Sequence, residues 1–373
     1  MSAARIGPAA SLRAALPIVA VLVFVVVSAG SLWAGALAGT LGYDFLAYQH
    51  AANRVVSGLP LYDPGIQQAG GFGLFLYPPP FALALIPFAL APDQLGLWLW
   101  EALAVAAFVA GVAVLPVRAP VRWGILLLGA LDWPLLFAFK LGQVGPLLFL
   151  LFAIGWRWRD RAGILGLSMA AGAMVKLQPL ILLAWAGLTG RWRAVGAAAA
   201  ALAIAALVST AVFGSGVWGE YAALLGRVSS PVTTPHNFTP GAIAYQAGVA
   251  QSTAELIQAV TLVAVLAIVV IAIRTASDEV SYLTTVVASQ VLSPLLWDHY
   301  AVVLLLPTAW LLARGRWWAV AIPLLTSLPL VSIAPPVVYP LVFGLGLLGP
   351  LAVDLAERRR SLGATRRVPA GST

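Results

Sequence analysis

An all-α polytopic membrane protein with about twelve transmembrane helices is the fold class this sequence predicts. Three observations lead there. Hydrophobic residues fill 61% of the 373 positions and charged residues only 9%, where a soluble domain carries about 25% charged residues. The apolar runs are continuous and many approach the ~20 residues that cross a bilayer as a helix; a membrane β-barrel would show ten-residue stretches of alternating polarity instead. Most basic residues sit in short loops and at the termini, the pattern of topology signals. The formal net charge of +8 is therefore read as sidedness information, with no nucleic-acid partner. Cysteine is absent, which removes disulfides, thiol nucleophiles and cysteine-based metal sites.

The elements follow in order. Arg5 and Arg13 precede an apolar run over 16–38, longer than the core of a cleaved signal peptide, so a retained signal anchor is expected. The clusters Arg5/Arg13, Arg118/Arg122, Arg157/Arg159/Arg161, Arg191/Arg193, Arg274, Arg314/Arg316 and Arg358–Arg360 read as cytoplasmic, and the chain must cross an even number of times between neighbouring clusters. Three apolar segments lie between Arg13 and Arg118: 16–38, 75–91 and 95–117. Parity admits two. The segment broken by Pro78, Pro79, Pro80 and Pro87 is read as embedded only in part, or interfacial, on the outer side. The remaining pairs are 123–139 with 142–156, 162–175 with 177–190, 193–213 with 256–274, 280–296 with 299–313, and 317–334 with 335–353. Both termini fall inside. One transmembrane domain thus covers 1–356, with outer loops at about 39–94 and 214–255, and 357–373 forms a basic, disordered cytoplasmic tail. No soluble domain and no strong internal repeat is visible.

Polar residues on the outer side need a reason. Arg54, Lys140, Lys176 and Arg227 oppose the positive-inside pattern, and both lysines of the chain fall at outer helix junctions. Each either pairs with a carboxylate or snorkels to the interface, or belongs to a set of charge-assisted donors for an anionic headgroup such as a lipid phosphate. Asp44 lies just beyond the first helix. It is either an N-cap for a helix over 45–57 or a general base at the membrane–water boundary; His50 reads as an interfacial side chain. Asp298 can cap the helix it opens, and His299 beside it can bond a phosphate or a sugar hydroxyl. Gln143 and Asn237 suit sugar hydroxyls. Glu101 and Asp132 are either buried structural carboxylates or part of a cavity, and Asp63 between Tyr62 and Pro64 reads as a turn residue.

The sequence has no Asp-X-Asp, P-loop, GxGxxG, HExxH or Ser-His-Asp signature, and no metal site is read from it. Nucleotide-sugar enzymes often hold a diphosphate through a metal on an acidic pair. A donor already embedded in lipid fits the missing pair and an outer face without a nucleotide pool.

The run Asp44…Tyr48…Ala51-Ala52…Gly58…Pro60-Leu61-Tyr62-Asp63-Pro64, then Tyr77-Pro78-Pro79…Phe81 and Leu99-Trp100, resembles the N-terminal signature of glycosyltransferase family 87, GT-C type membrane enzymes that use polyprenyl-phosphate sugars. Gly142-Gln143-Val144, Lys176-Leu177-Gln178-Pro179 and Ser293-Pro294…Trp297-Asp298-His299-Tyr300 resemble its later motifs, so the resemblance covers about 40–307. Three positions depart from the family pattern: Thr239 after Asn237-Phe238 where Ser is frequent, Tyr300 where a second His is frequent, and Gln178 where Pro is frequent.

The resemblance implies a GT-C fold and an inverting transfer, most simply of mannose, from polyprenyl-phosphate-sugar to a glycolipid or lipid-linked glycan acceptor. The donor is a co-substrate and no cofactor is expected. It also implies a bacterial plasma membrane location with the active site on the extracytoplasmic side. Related members transfer mannose to phosphatidylinositol mannosides or arabinofuranose to cell envelopes. By the same resemblance Asp44 and His299 take the catalytic positions. Lys176, Arg54, Lys140 and Gln143 are the donor-side candidates; Tyr48, Asn237, Tyr77 and Trp297 are those for acceptor and sugar. The alternatives are an arabinofuranosyltransferase of the same class, or a flippase for a lipid-linked sugar. A flippase would place ionisable groups near the midplane on broken helices; Asp132 is the residue that favours it. A silent scaffolding member is a third reading, against which the intact Asp44 speaks.

Overall fold

The computed structural model describes residues 8–62, 73–228, 231–327 and 337–365, with side chains from Ala15 to Ser361 within those ranges. Arg5, Asp63 and Pro64 lie outside the described residues. The described chain is helical: α1 (Pro8–Leu37), α2 (Tyr43–Val56), α3 (Pro79–Ala89), α4 (Asp93–Val114), α5 (Ala119–Leu131), α6 (Trp133–Leu141), α7 (Gly145–Arg157), α8 (Ala162–Val175), α9 (Ile181–Leu188), α10 (Trp192–Phe213), α11 (Val217–Val228), α12 (Pro240–Gln246), α13 (Gln251–Thr275), α14 (Asp278–Val291), α15 (Leu305–Ala313), α16 (Ala321–Thr326) and α17 (Val338–Thr365). Short 3-10 segments over Gln178–Leu180, Asp298–Leu304 and Trp317–Val320 lead into α9, α15 and α16.

Helix length and burial run in opposite directions, and that places the site. Among the described residues, five helices are long and apolar enough to cross a membrane: Ala15–Leu37 of α1, α4, α10, α13 and Val338–Ser361 of α17. The bent α5–α6 pair makes a sixth if taken as one span. Three of them, α1, α10 and α13, bury less than a quarter of their most apolar window and present apolar faces outward, as helices facing lipid do. The helices inside the bundle are shorter. In α14 every residue from Val280 to Val291 is buried, and it spans 14 residues, as does α8, while α7 spans 13. At 1.5 Å per residue such helices cover only about 20 Å of a hydrocarbon layer about 30 Å thick.

One end of these inner helices is tied by ions. Arg191 meets Asp278 at 2.6 Å and Asp160 at 3.8 Å; Glu279 takes hydrogen bonds from Trp156 and Trp310; Glu357 joins Arg314 and Arg316. The arginine-bearing turns after α7, α9 and α15 thus gather at one end of the bundle with the first turn of α14, which carries Asp278 and Glu279. The other ends of α7, α8 and α14 stop about 20 Å away, at Gly145, Val175 and Val291, and the cavity described below opens there.

The structure corrects three boundaries. The segment 123–139, expected as one crossing, breaks at Asp132 and bends by 64°. Pro134 has no N–H to continue α5, and Asp132 caps α6 by accepting from the Leu135 N–H at 3.1 Å. The segment 280–296 stops at Val291, ahead of Pro294, and continues as irregular chain. Residues 357–365, expected in a disordered tail, continue α17; Arg358 pairs with Asp354 one turn earlier at 2.9 Å and Glu357 holds the two arginines above. The residues after Thr365 lie outside the described ones. The proline-broken segment 75–91 forms α3, 11 residues long and so about 16 Å, with two prolines in its first turn, where no helical N–H is lost.

Candidate active site

The cavity has a volume of about 320 Å³, within the ordinary range of ligand sites. Its first wall begins at Gly42, which ends the loop after α1 in a left-handed conformation (φ 80°); a Cβ there would overlap Leu97. The Gly42 N–H donates to the Lys140 carbonyl at 2.8 Å. This fixes the start of α2 beside the end of α6 and puts Asp44 in the first turn of α2. Gly42, not Asp44, is the N-cap, without a side-chain bond; the capping role open to Asp44 in the sequence is not the one it has.

Asp44 faces Gln143. Gly142 closes α6 with φ 71°, and a Cβ on it would lie 2.7 Å from that of Phe45. Its carbonyl accepts from the Trp100 indole at 2.7 Å, and the Gln143 N–H returns to Ala138. The Gln143 side chain is then set by tyrosines. Its Oε1 accepts from the hydroxyls of Tyr77 (3.2 Å) and Tyr48 (3.5 Å), which are themselves 2.6 Å apart. The amide nitrogen therefore points at Asp44 and donates to Oδ2 at 2.5 Å. A carboxylate accepts that bond, and Oδ1 has no hydrogen-bond partner among the described residues. Burial pushes the Asp44 carboxyl above the usual range, against the pull of His299, the Gln143 bond and Lys176.

The floor is cationic and aromatic. Lys176 ends α8 and is only 8% exposed. Its ammonium stands 4.0 Å from the Tyr300 ring and 5.6 Å from the Tyr77 ring. Among the described residues no carboxylate lies within 4.0 Å of it. Asp298 and His299 come from the 3-10 turn after Pro294. Asp298 Oδ1 accepts from the His299 backbone N–H at 2.8 Å and lies 3.5 Å from Nδ1. The His299 ring is packed against Trp297 and Tyr300, and its Nε2 has no hydrogen-bond partner among the described residues. Gln178 donates to Ser293 Oγ at 2.9 Å, which ties the start of α9 to the turn carrying His299. Phe137, Leu141, Leu177, Leu74, Leu76 and Leu225 give the cavity an apolar side.

Of the residues singled out from the sequence, Asp44, His299, Lys176, Gln143, Tyr48, Tyr77 and Trp297 line this one cavity. Three do not. Arg54 sits in the last turn of α2, about 15 Å along the helix from Asp44, and donates to the Pro60 carbonyl at 2.7 Å. Lys140 turns the other way, its stem 3.5 Å from where a Cβ on Gly35 would be. Asn237 is fully buried and spent on backbone. Its amide donates to the carbonyls of Pro231 and Pro294, and its oxygen accepts from the N–H groups of Thr239 and Leu296. Asn237→Ala is therefore expected to lower the melting temperature and the amount of folded protein, by about 2–4 kcal/mol for the groups left unpaired, and not to raise an acceptor KM selectively. A melt beside acceptor kinetics checks this.

Asp132 also lies elsewhere: besides capping α6 it accepts from Thr326 at 3.1 Å. Glu101 is buried in α4 outside the cavity walls, with both oxygens lacking a partner among the described residues. Asp298, Tyr300, Gln178, Ser293, Phe137, Tyr221 and His236 line the cavity without having been assigned to it. Tyr300 and Gln178 stood out only as departures from a family pattern. His236 carried a signal of its own, a histidine between Pro235 and Asn237 in an outer loop. No group of three or more His, Asp or Glu side chains is arranged to hold a metal among the described residues.

The family model described as glycosyltransferase family 87 matches residues 75–297, well over half of the chain. The chain belongs to glycosyltransferase family 87. The matched range holds Tyr77, Gln143, Lys176, Gln178 and Ser293 and ends at Trp297; His299 lies two residues past its end, and Asp44 lies 31 residues before its start. No curated protein and no solved structure matched the chain. As a family 87 member, the protein is a membrane glycosyltransferase, and the cavity is where its sugar donor and acceptor are to be sought.

Proposed function

We propose that the protein transfers mannose from a polyprenyl-phosphate donor to a hydroxyl of a lipid-linked glycan, with inversion, on the extracytoplasmic face, and that Asp44 is the general base. The observation that carries this reading is the Asp44 carboxylate itself. One oxygen is held by Gln143 and the other has no hydrogen-bond partner among the described residues, in the wall of a cavity that also contains a buried ammonium with no carboxylate within 4.0 Å among those residues. In the reaction the acceptor hydroxyl gives its proton to Asp44 as its oxygen attacks the anomeric carbon. The bond from that carbon to the phosphate oxygen breaks on the opposite face. The polyprenyl phosphate leaves already ionised, so no general acid is needed. Lys176 meets the charge growing on the leaving oxygen from a buried position, where such a charge interaction is stronger than in bulk water, and His299 Nε2 is available to the same group. The leucine and phenylalanine side of the cavity suits the first isoprene units.

Two features weigh against the flippase reading. Asp132, its best support, serves as a helix cap and a partner of Thr326, and the ionisable groups that line the cavity, Asp44, Lys176, Asp298 and His299, gather at one end of the inner helices.

The test is transfer by purified protein in proteoliposomes supplied with radiolabelled polyprenyl-phosphate-mannose and a glycolipid acceptor pool. Labelled glycolipid supports the reading. Label moved across the bilayer without product would point to a flippase, and product only from polyprenyl-phosphate-arabinose would replace mannose with a pentose.

A pH dependence follows. The base works deprotonated, and burial holds its pKa above the ordinary ~3.9 of an aspartate. The rate constant kcat/KM should therefore fall as pH is lowered, with an acid limb above the range of a free carboxyl group. A profile that stays flat down to about pH 4 would remove Asp44 from this role.

A further inference from the structure

We infer that His236 is an acceptor-binding residue, its imidazole hydrogen-bonding a hydroxyl of the incoming glycan headgroup at the rim of the cavity. The inference rests on the transfer reaction proposed above and adds a specificity contact to it. Among the described residues every positive φ belongs to a glycine except that of His236, at 61°. A side chain in this left-handed region costs roughly 1–2 kcal/mol, and strain of this kind collects where geometry serves a ligand.

The neighbours impose the conformation. Asn237 is pinned by its four side-chain bonds to 231, 294, 239 and 296, the Phe238 N–H donates to the Leu296 carbonyl at 2.8 Å, and the Asn237 carbonyl accepts from Gln246 at 2.9 Å. Phe238 packs against Tyr339 with the rings tilted and their centroids 4.5 Å apart. Residue 236 is thus held against the turn that carries Trp297, Asp298 and His299, and its side chain forms part of the cavity wall. The ring lies 5.5 Å from that of Phe238 and makes no hydrogen bond to the described protein, so its nitrogens are left for a ligand.

Position selects which ligand. Lys176 and His299 are buried at the floor, where a lipid-borne phosphate would rest, whereas His236 is exposed on the side open to a headgroup arriving from water. A neutral imidazole offers one donor and one acceptor, which suits a sugar hydroxyl.

Glycine separates the imidazole from the backbone. His236→Gly deletes the ring and relieves the strain, so it threatens neither folding nor the loop conformation, and His236→Asn keeps a polar group in a residue that tolerates φ > 0. Transfer would be measured from saturating polyprenyl-phosphate-mannose to a phosphatidylinositol mannoside at varied concentration. The Gly variant should raise the acceptor KM about 3- to 10-fold, the loss of one net hydrogen bond, with the change confined to that constant, and Asn should recover part of it. An unchanged acceptor KM, or a change falling on the donor KM or on kcat, overturns the inference. Absence of transfer by the wild type would count against the mannosyl reading. His236 is then judged by titrating the same glycolipid into donor-free protein and following tryptophan fluorescence. Wild-type binding 3- to 10-fold tighter than that of His236→Gly supports the contact; equal binding, or none by the wild type, overturns it.

Discussion

Asp44→Asn is expected to leave the helices in place and to cut sugar transfer by about 10³-fold, within the range by which a positioned base accelerates a reaction. The substitution is nearly isosteric. Its amide oxygen can still accept from Gln143 Nε2, so the contact that orients residue 44 is kept. What disappears is the ability to take the acceptor proton. The same variant should be more stable than the wild type. Burial raises the Asp44 pKa in the folded protein, so the folded state binds this proton more tightly than the unfolded chain. Above the raised pKa that difference opposes folding in full, it shrinks as pH falls from the raised value toward the ordinary ~3.9 of the unfolded chain, and it is gone below that. Replacing a carboxylate with a neutral amide removes the cost at neutral pH. A raised melting temperature beside lost transfer is a pairing that a damaged fold does not produce. Normal turnover by Asp44→Asn or Asp44→Ala would end the assignment.

Lys176→Met is the second large effect. The methionine fills much of the lysine volume between Tyr300 and Tyr77 and removes only the charge. Transfer should fall about 10²- to 10³-fold, the scale on which losing one preorganised stabilising group acts in an active site, with the donor KM rising as well if the ground-state phosphate already rests there. A second readout separates charge from packing. Lys176 is among the groups that lower the Asp44 pKa, so its removal should move the acid limb of the pH profile to higher pH. Arginine should not rescue fully, because its delocalised planar fork does not replace the compact point charge of the ammonium at the same position. An unshifted acid limb together with near-normal transfer would show that the ammonium serves neither the phosphate nor Asp44.

The sequence made the membrane character legible, because 9% charged residues leave few other folds. It also brought into view many of the polar residues that line the candidate cavity, because polar residues on one side of a membrane helix bundle are few and each demands a reason. Asp44, Gln143, Lys176 and His299 were found that way, although they stand up to 255 residues apart in the chain. Composition could not tell which polar side chains are spent on the backbone. Asn237 looks like a sugar ligand and is instead a four-bond pin, and Arg54 points away from Asp44 because α2 carries it three turns along. Hydropathy also counted apolar segments without measuring their depth. It read 123–139 as one crossing, although Asp132 and Pro134 divide it, and it carried the segment of α14 on to 296, although the helix stops at Val291; it read the short segments 142–156 and 162–175 close to the bounds of α7 and α8. The left-handed backbone at His236 had no sequence signature beyond its neighbours.

The central claim is that Asp44 takes the acceptor proton during transfer from a lipid-phosphate sugar. The most direct measurement is a single turnover in proteoliposomes with enzyme in excess over radiolabelled polyprenyl-phosphate-mannose, comparing wild type with Asp44→Asn at equal amounts of folded protein. The account predicts labelled glycolipid, with inverted anomeric configuration, from the wild type and label left on the polyprenyl phosphate by the variant. Label reaching the acceptor at the same rate from both proteins would contradict it.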